Sequence, residues 1–262
     1  MEKTITQKYN EWENSLWEKY DKDFPNVQGT IYDGVIFPEE YAVEPFKVLI
    51  MNREPYDDDP ENSYSLTDEI AKRISNGTNI WENQKLLKCR LRQYLSVIEY
   101  CLKSKSFLQN ESDVVNYVDS VPSWDFPSMI RKTAYINVKK SDGRSRSNTD
   151  DLRKYAKQGL DILKNQISYF NPSIILGGDI VDNVLEPICE WGEDLHRGEG
   201  INVCQLKIDD KFYPLVDMWH PSSRASWKDM PNYYKKFYNA IKNVETKHPN
   251  FWETHMNQEC FR

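Results

Sequence analysis

The sequence predicts an α/β fold, a three-layer αβα arrangement around a central, mainly parallel sheet, with additional helices at both ends of the chain. Short apolar runs typical of buried parallel strands alternate with longer segments of helical periodicity. No internal repeat, low-complexity stretch or Gly/Ser linker divides the chain. We therefore expect residues 1–262 to form a single domain, with a core at about 45–245 and an N-terminal helical extension at 1–25.

Four short apolar segments are predicted to be strands. Each ends in glycine, polar or turn-forming residues, as buried strands commonly do. The segments are FKVLIMN (46–52), TAYINV (133–138), SIILGG (173–178) and FYPLVDMW (212–219).

Four other segments carry apolar residues at the spacing of an amphipathic helix. They lie at about 8–22, 85–103 and 152–170, and a closing helix passes through 234–241. The third is expected to end at Asn171-Pro172, because proline cannot continue a helix.

The composition is that of a folded globular protein, with 39% hydrophobic and 29% charged residues among 262. The first residues are charged and lack the apolar stretch of a signal peptide. The longest apolar runs are too short to span a bilayer. Five scattered cysteines, an odd number without a Cys-x-x-Cys pair, favour reduced thiols. We therefore expect a cytoplasmic protein with no membrane segment.

The charge balance is acidic overall but uneven along the chain. A net charge of −7 argues against a protein coated in nucleic acid. The segment NVKKSDGRSRSN nevertheless concentrates positive charge in Lys139, Lys140, Arg144 and Arg146. Taken alone, this segment fits either a solvated loop or a surface that contacts a polyanion.

Three of the predicted strands run into polar, turn-rich loops. These loops are NREPYDDD, NVKKSDGRSRSN and HPSSRAS. In open α/β sheets, ligands bind in the crevice beyond the carboxyl ends of the strands. If the strands are parallel, the three loops meet at one edge of the sheet and form a candidate site.

The side chains offered by these loops suit hydrolysis. Glu54 is a carboxylate able to orient water, Asn137 is an amide able to recognise a donor and acceptor edge, and His220 can stabilise a developing anion. No Ser or Cys lies in a nucleophile-elbow setting, and GGD (177–179) is too short for a phosphate-binding loop. Oxygen ligands for a hard metal occur at 57–59, but an exposed acidic turn is the commoner interpretation. We expect no metal and no cofactor.

In order along the chain, these residues resemble the motifs of the uracil-DNA glycosylase superfamily. NREPYD (52–57) is similar to the family's first motif, of the type Gly-Gln-Asp-Pro-Tyr-His or Gly-Glu-Ala-Pro-Gly. AYINVKK (134–140) resembles the Tyr-Ile-x-Asn-Val-x-Lys of the iron–sulfur branch, and HPSSR (220–224) resembles the His-Pro-Ser-Pro-Arg of the single-strand-selective branch. The resemblance covers roughly residues 45–228. The chain lacks the cysteines of the iron–sulfur branches, so we expect no cluster.

The resemblance implies a DNA-repair enzyme that acts on a flipped or single-stranded base and cleaves its N-glycosidic bond. Glu54 would orient the attacking water, Asn137 would bind the base edge, and His220 would donate to the anionic leaving base. Asn52 stands where the family has Gly, and Glu54 is longer than the usual Asp or Asn.

The implied base pocket comprises Asn52, Tyr56 and Tyr64, with Tyr56 excluding a 5-methyl group. Tyr64 could instead be a residue of the hydrophobic core. The implied DNA contacts are Ser222, Ser223, Arg224, Lys139, Lys140, Arg144 and Arg146.

Uracil or a related damaged base in DNA is therefore the expected substrate, and the protein is expected to act as a monomer. Two alternatives remain at this stage. The chain could be a non-catalytic descendant that binds nucleic acid or protein through the same loops, or a hydrolase of free nucleosides or nucleotides.

Overall fold

The computed structural model describes residues 3–27, 29–55, 62–78, 85–141, 148–198, 200–220 and 233–262, with the backbone alone at 85, 86 and 183. Within these residues the fold is α/β, and its main sheet has seven strands. Including a separate pair, the first and the fourth, the strands of the described residues are β1 (Ile31–Tyr32), β2 (Gly34–Val35), β3 (Val48–Asn52), β4 (Tyr64–Ser65), β5 (Thr133–Asn137), β6 (Ile174–Gly178), β7 (Glu190–Gly198), β8 (Ile201–Ile208) and β9 (Lys211–Met218).

The main sheet has a parallel centre and antiparallel edges. Its strand order is β2-β5-β3-β6-β9-β8-β7, while β1 and β4 form a separate parallel pair. Strands β5, β3, β6 and β9 run in the same direction. Strand β2 is antiparallel to β5, and β7, β8 and β9 are successively antiparallel. All four predicted strands are confirmed, and the prediction of a mainly parallel sheet holds for these four.

The β7–β8 hairpin was not predicted from the sequence. Most side chains of β7 are not buried, so this strand lacks the apolar run that marks a buried strand. Register shifts between Trp191 and Asp194 and between Asp194 and His196 further disturb the alternation that would mark an edge strand.

Helices cover the sheet on both sides. They are α1 (Ile5–Asp23), α2 (Pro38–Val43), α3 (Leu66–Ser75), α4 (Lys85–Lys103), α5 (Glu111–Ser120), α6 (Phe126–Ile130), α7 (Thr149–Gln158), α8 (Leu160–Phe170), α9 (Tyr233–Lys247) and α10 (Phe251–Thr254). A short 3₁₀ turn at Ser123–Asp125 and a π-helical turn at Val181–Leu185 complete the helical elements.

The single helix predicted at 152–170 is in fact two helices, α7 and α8. Gly159 lies between them, where its N–H closes the last turn of α7 on the Tyr155 carbonyl at 2.8 Å. Glycine has a low helix propensity, and a side chain there would meet the ring of Phe24. The interruption is therefore local, and the apolar periodicity continues through both helices.

Alternate residues of the central strands build two separate cores, as expected for a three-layer fold. On one face, Val48 and Ile50 of β3 pack with residues of α4 and α9. On the other face, Leu49 and Met51 pack with residues of α7 and α8. Helix α1 also belongs to this second side, because the Tyr9 hydroxyl accepts a hydrogen bond from the Val35 N–H at 2.9 Å.

No helix within the described residues is both long enough and apolar enough to cross a lipid bilayer.

Candidate functional site

The carboxyl ends of the four parallel strands define one edge of the sheet, which we call the rim. It comprises Asn52–Glu54 at the end of β3, Asn137–Lys139 at the end of β5, Asp179 after β6 and Trp219–His220 after β9. Asn52 and Asn137 are register partners on adjacent strands. The pairing continues one step beyond them, since the N–H groups of Val138 and Lys139 donate to the carbonyls of Asn52 and Arg53 at 2.8 and 2.9 Å. The expectation that the three motif loops begin at one edge is therefore confirmed.

Glu54 lies almost buried beside a lysine. Its side chain is 7% exposed, and its Oε2 lies 3.8 Å from the Nζ of Lys139. The same ammonium donates to Asp151 Oδ2 at 3.0 Å and lies 4.8 Å from the ring centre of Tyr155. The other oxygen of the carboxylate, Glu54 Oε1, is buried and accepts no hydrogen bond from the part of the chain that the structure describes.

The two asparagines at the rim are each held through the amide nitrogen. Asn52 Nδ2 donates to the Tyr135 hydroxyl at 2.5 Å. Asn137 Nδ2 donates to Asp33 Oδ2 at 3.3 Å, and the Asn137 backbone N–H donates to the same oxygen at 2.7 Å. In both side chains the amide oxygen is buried, and none of the described residues donates a hydrogen bond to it.

Three buried acceptors at this part of the rim have no hydrogen-bond donor among the described residues: Asn52 Oδ1, Glu54 Oε1 and Asn137 Oδ1. Buried polar groups in folded proteins are nearly always hydrogen-bonded, so each exception requires an explanation, such as a catalytic role or a bound water or ion. Unpartnered buried side-chain atoms also occur elsewhere in the described residues, at Trp17, Tyr20, Tyr41, Tyr94, Ser141 and Gln166. The rim is distinguished by acceptors from two adjacent strands, which suit a ligand or water that donates hydrogen bonds.

Asp33 and Lys140 form a buried ion pair behind Asn137. Lys140 Nζ donates to both carboxylate oxygens of Asp33 at 2.8 and 3.1 Å, and the two side chains are 2% and 0% exposed. Burial lowers the pKa of Lys140, and the charge of Asp33 opposes that shift. The prediction of Lys140 as a DNA contact is therefore wrong, because its ammonium is enclosed by the protein and cannot reach a phosphate.

Lys139 also differs from the solvated cation that the sequence suggested. Its side chain is 11% exposed and its ammonium is shared between Glu54 and Asp151. Its position thus assigns it to the surroundings of Glu54 rather than to an open basic surface. The exposed cations that follow the basic segment are Arg153, Lys154 and Lys157 of α7, which border a surface groove with Pro187 and Ile188.

An ion pair joins the ends of β3 and β6. The guanidinium of Arg53 binds the Asp179 carboxylate through Nη2 and donates from Nε to the Asp179 carbonyl at 2.9 Å. Asp179 has a left-handed backbone, with φ of 59°. Of the residues GGD, Gly177 and Gly178 end β6, and Asp179 begins the turn that leads into the π-helical turn at Val181–Leu185.

The turn after β6 is fixed from the neighbouring strand by Asp217 of β9. Its two carboxylate oxygens accept from the N–H groups of Ile180 and Val181 at 2.9 and 3.0 Å. Burial raises the pKa of Asp217 to about 6, although the two N–H donors act in the opposite direction. Gly177 permits this approach, since a Cβ there would lie 2.8 Å from Asp217 Oδ1.

His220 follows β9 at the same rim. The preceding Trp219 stacks on Tyr233, with ring centres 5.2 Å apart and planes at 4°. Strand β6 lies between β9 and β3, so one strand separates the ends that lead to Glu54 and His220, and β5 lies on the far side of β3. His220 lies close enough to Arg53 for their charges to interact.

His220 is a neutral imidazole at neutral pH. Burial lowers its pKa to about 4, and the positive charges of Arg53 and Arg90 act in the same direction. A neutral ring keeps one N–H donor and one acceptor nitrogen. It can therefore donate a hydrogen bond to a developing anion without first losing a proton.

We expect the ring signals of His220 to remain constant as the pH falls from 8 to about 5.5, whereas an ordinary histidine titrates near 6.5. Because the folded-state pKa is depressed, the unfolded chain binds more protons between about pH 4 and 6.5. The contribution of His220 to stability is thus present above pH 6.5 and is lost as the pH falls through 4. An NMR titration checks this, and a midpoint near 6.5 for His220 would contradict it.

Replacing Lys140 alone should leave the carboxylate of Asp33 buried without its counter-ion. We expect Lys140→Met to lower the free energy of unfolding by about 3–5 kcal/mol, as for other buried ion pairs that lose one partner. The double variant Asp33→Asn, Lys140→Met should recover most of that loss, because no net charge then remains buried. Chemical denaturation of the three proteins measures the difference. Equal losses in the single and double variants would contradict a direct charge pairing.

The remaining predicted site residues divide into two groups. Tyr64 is partly buried in β4 and is paired with Ile31 of β1. Tyr56, Arg144, Arg146, Ser222, Ser223 and Arg224 lie outside the described residues, as do the acidic residues 57–59. Among the residues that the structure describes, no three His, Cys, Asp or Glu side chains come together as metal ligands.

Sequence reasoning missed four residues that organise the rim: Asp33, Arg53, Asp179 and Asp217. Arg53 lies inside the first motif, next to Glu54 in the sequence, but the sequence does not show that it pairs with Asp179. Asp33 is more than a hundred residues from Asn137, and no spacing in the sequence connects them.

Comparison with known proteins identifies no relative: no protein-family model matches the chain, and no curated protein matches it.

Proposed function

We propose that this protein is a DNA-base glycosylase that hydrolyses the N-glycosidic bond of uracil or a related damaged base. The observation that carries the proposal is the pair of buried, donor-free oxygens Glu54 Oε1 and Asn137 Oδ1 at adjacent strand ends. The neutral imidazole of His220 on the same rim adds the third group that the reaction needs. The ordered motifs of the sequence favour the same function.

Base recognition is assigned to Asn137. Its Oδ1 accepts from the N3–H of uracil, and the second hydrogen of its Nδ2 donates to O4. Cytosine presents the opposite pattern, with an acceptor at N3 and a donor at N4, so the same amide in the same orientation disfavours it. Asn52 Oδ1 offers a further acceptor beside Asn137, at a position where the resembling family has glycine.

Water activation is assigned to Glu54. A water bound to Oε1 would be oriented toward the sugar carbon C1′, and the carboxylate would accept its proton as the new C–O bond forms. The negative charge of Glu54 also stabilises the positive charge that develops on the sugar ring as the C–N bond breaks. The Lys139 ammonium, 3.8 Å from Oε2, holds the other carboxylate oxygen away from this water.

Departure of the base is assigned to His220. As the C–N bond breaks, its electron pair goes to the base, and negative charge collects on the oxygen O2. A neutral imidazole N–H near that oxygen stabilises the anion without a proton transfer. The base then leaves as the anion and takes a proton from solvent.

The proposed reaction requires the target base to lie outside the DNA helix. A base within a duplex cannot reach buried groups such as Glu54 and Asn137, so it must be flipped or supplied as single-stranded DNA, at an energetic cost of a few kcal/mol. Positive charge for the DNA backbone would come from Arg144, Arg146 and Arg224, with Ser222 and Ser223 binding phosphate.

A uracil-containing oligonucleotide, offered single-stranded, double-stranded and alongside free deoxyuridine, tests the proposal. We expect abasic product from one or both oligonucleotides. Tight binding without cleavage would instead support a non-catalytic binding protein, and release of uracil from the nucleoside alone would support a nucleoside hydrolase.

Activity should persist in the presence of EDTA, because the proposed groups act directly on water and base. The assay is the same excision reaction with and without chelator, and magnesium or zinc is added back afterwards. If EDTA abolishes excision and a metal restores it, the acidic residues 57–59 become candidate ligands and the assignment of water to Glu54 is wrong.

A further inference from the structure

The amide of Asn137 has a defined orientation because of the group behind it. The carboxylate of Asp33 accepts hydrogen bonds from the Asn137 backbone and side chain, from Lys140 and from Gln166 Nε2, the last at 3.0 Å. A carboxylate paired with an ammonium offers acceptor oxygens and no donor. The amide nitrogen of Asn137 must therefore face Asp33, and its oxygen must face away.

The buried position of this network makes the orientation firm. Asp33 is 1% exposed, and it lies between two short strands, β1 and β2. Its backbone is fixed by Gln166 Nε2, which donates to the Asp33 carbonyl at 3.3 Å, and by the neighbouring Ile31 N–H, which donates to the Lys140 carbonyl at 2.7 Å.

We propose that Asp33 is a positioning residue that fixes Asn137 Oδ1 as a hydrogen-bond acceptor at the rim and thereby restricts the substrate to bases with an N–H donor at that edge. The inference rests on the proposed function and deepens it. It assigns the choice between uracil and cytosine to a buried carboxylate that touches neither base.

Two matched double variants separate orientation from stability. Asp33→Asn, Lys140→Met retains one oxygen at position 33, which can accept from both Asn137 nitrogens. Its amide nitrogen then replaces Asp33 Oδ1, which accepts from Gln166 Nε2, so the Gln166 amide must rotate to present Oε1 as the acceptor. Asp33→Leu, Lys140→Met has similar volume and the same loss of charge but no acceptor. Only the second variant frees the Asn137 amide to rotate.

The measurement is the preference for uracil over cytosine, in excision rate and in binding of oligonucleotides that carry a 2′-fluoro group to block cleavage. We expect the variant Asp33→Asn, Lys140→Met to keep the preference for uracil shown by the unaltered protein. In the variant Asp33→Leu, Lys140→Met the preference should fall by at least about 100-fold, because the Asn137 amide is no longer held in the orientation that pairs with uracil alone. A merely structural role would change stability, measured by thermal unfolding, without this difference.

Retention of the preference in both folded variants, or its loss in both, would overturn the inference while leaving the proposed function intact. Absence of any uracil preference in the unaltered protein would overturn base recognition by Asn137 as well. Should the Leu variant not fold, hydrogen exchange in the unaltered protein decides: one side-chain amide proton of Asn137, assigned by its absence in Asn137→Leu, is expected to be protected. Rapid exchange of both protons would overturn the inference.

Discussion

Glu54→Gln should lower the single-turnover rate of uracil excision by about two to four orders of magnitude, the range for loss of a general base. Glutamine has the same length and still binds a water, but it cannot accept the proton and carries no charge to stabilise the sugar cation. Lys139 keeps Asp151 as a partner at 3.0 Å, so the substitution leaves no unpaired ammonium. Excision is measured with enzyme in excess over an oligonucleotide that contains one uracil.

Asp151→Asn is the matched control for that experiment. Asp151 binds the same lysine, but its side chain is 42% exposed and takes no part in the proposed reaction. We expect its excision rate to stay close to that of the unaltered protein. If Glu54→Gln folds normally and excises uracil at the original rate, Glu54 does not handle the water. If the two substitutions reduce the rate equally, the effect arises from Lys139.

His220→Ala should lower the same rate by about two to three orders of magnitude, as removal of one donor to a developing anion does. The affinity for DNA should change little, because the imidazole interacts with charge that forms only as the bond breaks. His220→Gln, which retains a side-chain N–H donor, should recover part of the loss. Binding is measured separately by fluorescence anisotropy with a non-cleavable oligonucleotide.

His248→Ala is the control for a histidine near the closing helix, where its ring lies 3.6 Å from Glu193. It should excise uracil like the unaltered protein. A His220→Ala variant that is unfolded, or one that both binds and cleaves normally, would show that the histidine has a structural role.

Much of the fold could be predicted because buried parallel strands are apolar along their whole length. Each of the strands β3, β5, β6 and β9 is fully or largely buried, and each begins and ends within two residues of its predicted limits. In the β7–β8 hairpin, β7 escaped prediction because it is largely exposed and carries mixed residues. Strand β8 was missed although its buried apolar residues recur at nearly alternate positions in the sequence.

The candidate site was predictable where function depends on the position of a residue at a strand end. Glu54, Asn137 and His220 all follow central parallel strands, and topology alone brings those ends to one edge. Charge was harder to interpret. Lys139 and Lys140 lie in a basic segment that suggests a solvated surface, but burial depends on Asp33 and Glu54, which the chain brings beside them only after folding.

Residues that support the site could not be found from sequence, because their partners are remote. Asp33 acts on Asn137, and Asp217 acts on the turn after β6, through contacts that follow no local spacing. Such buried carboxylates become visible only when the strands are placed next to each other. They also hold the rim in position, so they belong to the description of the site as much as the motif residues do.

The central claim is that this rim hydrolyses the bond between uracil and deoxyribose, and its most direct measurement is the stoichiometry of the two products. Enzyme in excess is incubated with a single-stranded oligonucleotide carrying one uracil, and free uracil and abasic strand are quantified by mass spectrometry. We expect the two products to appear one for one, with the rate reduced in Glu54→Gln and His220→Ala. An oligonucleotide that remains intact while anisotropy shows it fully bound, in both single- and double-stranded form, would contradict it.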